Sequence, residues 1–227
     1  MLSSNHPLYL PEQPSYLRRA LVALRAFGVL SKDQAHGIAA PMLSLSMDAE
    51  IFRKLVATYA ANEEGRTLLR ERPDLQAGTI DLVGLRTLPE GTLGKLLAHY
   101  YEENGIAPFA SPYPARNDVE YLAKRYRELH DMVHIVTGYG TDPISELELQ
   151  AFVYGNLGLR HPVLILTLTG IFMPMQLPPI WTYFPKLRAA YRHGKASADV
   201  ALRPRYERYW STPIEDVRRA VGLASRG

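Results

Sequence analysis

The sequence of 227 residues contains no cysteine, which excludes disulfide staples and thiolates as nucleophiles or soft metal ligands. A chain without thiols suits a reducing cytosol. Its first residues, MLSSNHPLYLPEQ, carry neither the apolar core of a signal peptide nor an arginine-rich transit pattern, so a cytoplasmic location without a removed leader is expected. Long hydrophobic runs are also missing. The longest, Val163 to Leu177, is interrupted by threonine, glycine and proline and is shorter than the roughly 20 apolar residues of a membrane-spanning helix. Charge of one sign is scarce: 26 Lys and Arg against 23 Asp and Glu leave +3, scattered along the chain, and nucleic acid is not an expected partner. Strand-like alternation is nearly absent, and there is no internal repeat or low-complexity linker.

What is present reads as helix. Leu17, Leu21, Leu24 and Phe27 form one helical stripe, and Ile51, Leu55 and Tyr59 another. Cap signals punctuate the pattern at Ser31 with Gln34, Asn117 with Glu120, and Thr212 with Glu215, with Pro213 at a first helical position. The pattern predicts one long helix from Asn117 to Thr137, stopped by Gly138, and a next helix opened by Asp142-Pro143. The short turn between them should fold the two into an antiparallel pair. Pro108 to Pro114 and Met173 to Pro179 read as loops. With 47% hydrophobic residues, the expectation is an all-α fold: a single-domain multi-helix bundle over residues 1–227, with a metal site between two antiparallel helices.

The chemistry-bearing pattern is His130-Asp131-Met132-Val133-His134 followed by Glu146, or H-D-x-x-H-x11-E. Residues four apart share one face of a helix, so His130 and His134 can present two nitrogens to one divalent ion. The antiparallel turn would bring Glu146 back to supply an oxygen. Asp131, offset about 100° around the helix, is a further ligand or a hydrogen-bonding orienter of an imidazole. The competing reading is a polar seam in which these side chains bond one another without an ion. Imidazole and carboxylate donors suit zinc first, with iron or magnesium as alternatives, and occupancy should fall below about pH 6 as the imidazoles protonate.

Arg127, one turn before the histidines, is a candidate to hold an anionic group of a substrate, or else an ordinary partner of Asp131. Tyr126 and Tyr139 flank the motif, but among 14 tyrosines their proximity assigns them no role. Leu164 to Met175, with the adaptable Met173 and Met175, could line an apolar groove or form a buried helix. The helix through Leu17 to Phe27, interleaved with Arg18, Arg19 and Arg25, fits either an anionic membrane surface or ordinary core packing.

The run from Arg125 to His134, with Gly138 and Glu146, resembles the signature of the coenzyme Q biosynthesis protein 4 family. Arg72-Pro73, Leu88 to Gly94, Ala190 to Gly194, Trp210 and the Pro213 to Leu223 segment resemble it in order and spacing. The likeness covers about residues 52–223 and is loose over the first 50. Trp181-Thr182-Tyr183 departs from the family's Pro-Trp-Ala type of segment. The resemblance implies an all-helical fold, a role in ubiquinone biosynthesis, and metal ligation by His130, Asp131, His134 and Glu146. It also implies peripheral association with a membrane surface, a polyprenylated quinone precursor as ligand, and other quinone-biosynthesis proteins as partners. A homodimer is a separate partner expectation.

Two functional readings follow. One is a metal-dependent enzyme, a decarboxylase or hydroxylase, that oxidatively decarboxylates ring carbon 1 of a polyprenylated hydroxybenzoate-type intermediate, with Asp131 and Arg127 as its catalytic candidates. The other is a non-catalytic scaffold that binds prenyl lipid and organises the pathway's enzymes. A third takes His130-Asp131 as the doublet of HD-type phosphohydrolases, with His99 and Asp199 as remaining ligands, and leaves His134 and Glu146 unexplained.

Overall fold

A computed structural model describes residues 6–11, 14–33, 36–112, 114–172, 177–203 and 205–226, with side chains from Gly170 to Phe172 left aside. All regular structure among them is helical, apart from an isolated bridge between Thr92 and Pro213. The chain divides into two compact units, Met1–Thr79 with Pro108–Glu128, and Ile80–Ala107 with Leu129–Gly227.

The first unit holds α1 (Tyr16–Leu30), α2 (Ala39–Ala60), α3 (Glu63–Glu71) and α6 (Asp118–Glu128), with α2 packed on the other three. The second holds α4 (Leu82–Arg86), α5 (Leu93–Asn104), α7 (His130–Thr137), α8 (Pro143–Leu157), α9 (His161–Phe172), α10 (Ile180–Ala196) and α11 (Ile214–Ala220).

The stripe Leu17, Leu21, Leu24 does not face the core. These leucines are exposed, and α1 buries Val22, Ala23 and Ala26 on its other side. Small residues let α1 lie close on α2, which is why the larger leucines are the ones left outside. Arg18 and Arg25 are spent on main-chain carbonyls, donating to Tyr9 and Pro7. Ser31 ends α1 instead of starting a helix: its N–H reaches Phe27 O, and its hydroxyl donates to Gly28 O. Gln34, its expected partner, lies outside the described residues, as do Met173 and Met175. Asn117 behaves as expected and accepts the Glu120 N–H at 3.0 Å.

The helix expected from Asn117 to Thr137 is two helices. Leu129, a turn residue at φ −84° and ψ −7°, belongs to neither helix and separates α6 from α7. The break falls where the chain passes from the first unit to the second.

In the second unit α8 packs chiefly on α10. A Cβ at Gly155 would lie 2.1 Å from Tyr191 O, and one at Gly194 2.1 Å from Phe152 O. The two glycines therefore allow a backbone approach that no side chain would permit. The pairing of α7 with α8 is thus not the main packing of either helix: α7 lies on α5 and α11. Leu88–Gly94 and the C-terminal segment also meet, since Gly94 N donates to Trp210 O and Ile214 N to Gly91 O, both at 2.9 Å. Pro213 flanks α11 as its N-cap instead of opening it.

Candidate metal centre

Asp142 caps α8 by accepting the N–H groups of Ile144 and Ser145 at 3.1 and 3.2 Å, and Pro143 tolerates the first helical position because its missing N–H would be unpaired there anyway. This fixes Glu146 in the first turn of α8. Gly138, in the left-handed conformation at φ 72°, ends α7 and returns its N–H to His134 O at 2.7 Å. These two local signals were legible in the sequence, and between them they bring Glu146 to the histidines.

Glu146 Oε2 lies 3.0 Å from His134 Nε2, Glu146 Oε1 lies 3.4 Å from His130 Nε2, and the two Nε2 atoms are 3.2 Å apart. Donors held at about 2.0–2.1 Å around a tetrahedral ion stand roughly 3.3 Å from one another. Each of the three contacts is near that spacing, one donor atom from each residue lies within 4.8 Å of the others, and no other such group occurs among the described residues. His134 is buried, while His130 and Glu146 are half-buried, leaving an open side.

Proton placement supports the same reading. His134 Nδ1 lies 3.1 Å from the Tyr139 carbonyl, which can only accept, so Nδ1 carries the proton. In a neutral imidazole Nε2 is then a bare lone pair facing a carboxylate and another imidazole nitrogen. Such a point calls for a cation, either a proton or a metal. Burial opposes charge on His134, but the hydrogen bond and charge of Glu146, with the Tyr139 carbonyl, outweigh it and raise the pKa above 6.5. Burial likewise works against ionised Glu146, and His130 and His134 overcome it, holding the carboxyl well below 4.5.

Asp131 faces elsewhere. Its carboxylate accepts the Tyr101 hydroxyl of α5 at 3.1 Å, and it is not one of the three converging donors. Arg127 belongs to α6 in the first unit, with its guanidinium 5.0 Å over the Phe109 ring. Neither His99 nor Asp199 joins the donor group, which leaves the HD-type ligand set unassembled among the described residues.

Three contributors were not assigned a role from sequence. Gln150 donates to Glu146 Oε1 at 3.0 Å, and its own buried carbonyl oxygen has no donor, so a water or ligand hydroxyl is owed there. Its signal was the i+4 spacing from Glu146. Tyr100 stacks on His134 at 5.9 Å between ring centroids. Tyr139 acts through its main chain, which no side-chain pattern announces.

A family model described as "Coenzyme Q (ubiquinone) biosynthesis protein Coq4" matches residues 15–226. The mitochondrial ubiquinone biosynthesis protein COQ4 homolog of Bos taurus is 27% identical over 224 residues, covering 96% of this chain and 82% of that protein. The Mus musculus counterpart is 29% identical over 227 residues with the same coverages. That of Coprinopsis cinerea is 30% identical over 169 residues, 72% of this chain and 56% of its own. A crystal structure from Nostoc punctiforme, of a protein described as a candidate for ubiquinone biosynthesis, superposes with TM-score 0.68 at 24% identity, covering 89% of this chain and 97% of that one. That likeness establishes the all-α fold.

Proposed function

The chain belongs to the Coq4 family of coenzyme Q (ubiquinone) biosynthesis proteins, and from that membership we propose that it acts in ubiquinone biosynthesis as a metal-dependent enzyme on the ring of a polyprenylated hydroxybenzoate-type precursor. The observation that carries this reading is the convergence of His130 Nε2, His134 Nε2 and the two oxygens of the Glu146 carboxylate, with contacts of 3.0–3.4 Å. A divalent ion bound there would supply Lewis acidity toward the phenol or carboxylate of the precursor. Zinc suits the donor set, with iron or magnesium as alternatives.

The reaction proposed is oxidative decarboxylation at ring carbon 1. The carbon–carboxylate bond breaks and a carbon–oxygen bond forms, with dioxygen and a two-electron reductant consumed, so that ArCO2H + O2 + 2 H+ + 2 e− gives ArOH + CO2 + H2O. In this reading the unmatched Gln150 oxygen accepts the phenolic hydrogen of the precursor. Asp131 holds α7 against α5 through Tyr101, and its charge, one of those that raise the His134 pKa, favours a cation at the histidines.

The prenyl tail is placed along α9, where Leu164, Ile165, Leu166 and Leu168 are half-exposed on a helix packed against α8. No helix among the described residues is long and apolar enough to cross a membrane. Exposed Ile180, Trp181 and Phe184 at the start of α10 favour peripheral contact with a lipid surface, and the same residues favour the scaffold reading, in which they dock other enzymes of the pathway or a second copy. The two readings part in one assay. Purified protein given a carboxylated prenyl-phenol, divalent metal, dioxygen and a reductant releases carbon dioxide if it is the enzyme, and none if it is the scaffold.

A further inference from the structure

Behind the metal-facing side of His134 lies a second set of contacts that the family motif does not contain. The Tyr139 main-chain carbonyl accepts the His134 Nδ1 proton at 3.1 Å. The same residue's phenol lies 3.0 Å from His193 Nδ1, and His193 Nε2 lies 2.8 Å from Ala224 O. Because Ala224 O can only accept, His193 carries its proton on Nε2, and its Nδ1 accepts from the phenol. Burial agrees at both ends: it lowers the His193 pKa and pushes the Tyr139 phenol up to about 12, which keeps one neutral and the other a donor. The Arg226 guanidinium covers the other side of the tyrosine, 3.9 Å over its ring, and donates to Thr137 O at 2.7 Å. Arg218 donates to Val136 O at 2.8 Å. The last carbonyls of α7 thus meet two cations, where the negative end of a helix favours them.

We propose that Tyr139, clamped between His193 and Arg226, is the positioning residue of the metal centre, holding His134 in the tautomer and orientation that aim Nε2 at the cation. The inference rests on the metal-centre reading above and adds to it residues from α10 and the C-terminal segment. The path is continuous. Ala224 O holds His193, His193 and Arg226 hold the ring of Tyr139, and the backbone of Tyr139 holds His134. Gly138 and Gly140 flank Tyr139 and restrain the backbone little, so the clamped ring anchors the Cα from which the accepting carbonyl projects. A hydrogen-bond acceptor on the far nitrogen of a ligating histidine characteristically governs metal affinity by one to two orders of magnitude.

The test uses the full chain with zinc as the probe. Tyr139→Phe removes the phenolic hydroxyl and keeps the ring. Arg226→Ala removes the cation over it, and Arg226→Lys restores one. The control is Tyr206→Phe, which deletes another buried hydroxyl of the same unit, the one donating to Val200 O at 2.9 Å. Zinc affinity is read by chelator competition, and the tautomer of His134 by its 15N chemical shifts in metal-free protein at alkaline pH, where the ring is neutral. Tyr139→Phe and Arg226→Ala should weaken zinc binding roughly tenfold and move His134 toward a mixture of tautomers. Arg226→Lys should recover most of the affinity, and the control should change neither readout. Wild-type affinity with an unchanged tautomer in both variants overturns the proposal, as does an equal loss in the control. If the wild-type protein binds no zinc, the metal reading fails by itself, and the His134 shifts still decide whether Tyr139 sets the tautomer.

Discussion

The carboxylate of Glu146 stands 3.0 Å from His134 Nε2, on a ring whose other nitrogen already gives its proton to the Tyr139 carbonyl. Without a metal, that short approach is favourable only when Nε2 is protonated. The contact is therefore a cation site that a proton fills by default, and its pH behaviour follows.

Metal-free protein should draw stability from this pair within a window. The raised His134 pKa contributes stability that is full below its ordinary value of 6.5 and is lost as pH rises through the raised value. The lowered Glu146 pKa contributes stability present above 4.5 and lost as pH falls through the lowered value. Both are in force between those ordinary values. Urea unfolding of metal-stripped wild type against Glu146→Gln should show the largest difference there and a shrinking one toward alkaline pH. A difference that grows with pH would contradict the assignment.

Proton and metal compete for the same nitrogen. Because Glu146 raises the His134 pKa, apparent affinity for zinc should begin to fall above the ordinary histidine value, at a higher pH than the motif alone led one to expect. Titration calorimetry in two buffers of different ionisation enthalpy should report proton release on zinc binding, greater near neutrality than at about pH 9. No proton release at any pH would rule out the competition.

Gly155 and Gly194 hold α8 against α10 at a distance a methyl group would violate. Gly194→Ala should cost about 1–3 kcal/mol in urea unfolding, as overpacking of a tight contact does, and should loosen zinc binding too because α8 carries Glu146. Unchanged stability would mean that the helices part without strain.

In the first unit, burial raises the Glu128 carboxyl to about 7, with Asp74 adding to the shift and Lys124, 2.9 Å away, opposing it. A raised carboxyl contributes stability that is full below 4.5 and lost as pH rises through about 7. Between about pH 5 and pH 8 the wild type should lose on the order of 1–3 kcal/mol from this group, and Glu128→Gln should flatten the profile. Parallel profiles for the two proteins would contradict it.

Much of the site could be read directly because its determinants are local. Asp142-Pro143 starts a helix and Gly138 ends one whatever surrounds them, and those two signals place Glu146 near His134. What periodicity missed depended on tertiary context. It left the stripe Leu17, Leu21 and Leu24 open between a surface and the core because apolar spacing marks a face without saying whether it is covered, and the small Val22, Ala23 and Ala26 are the ones buried. It continued one helix through Leu129 because a leucine there carries no local signal for a break. Asp131 was left open between ligand and orienter, and the contact that its carboxylate makes with the Tyr101 hydroxyl is a tertiary one that spacing does not register. Gln150 and Tyr139 depended on amide and main-chain groups that a pattern of titratable side chains does not register.

The central claim is that His130, His134 and Glu146 together hold one divalent cation, and the direct measurement is metal content and affinity of purified protein by elemental analysis and zinc titration. The account predicts one equivalent in the wild type, with binding abolished in His134→Ala and weakened at least tenfold in Glu146→Gln while both variants stay folded. A wild type that takes up no divalent metal, or a His134→Ala variant that binds it as tightly, would contradict the claim.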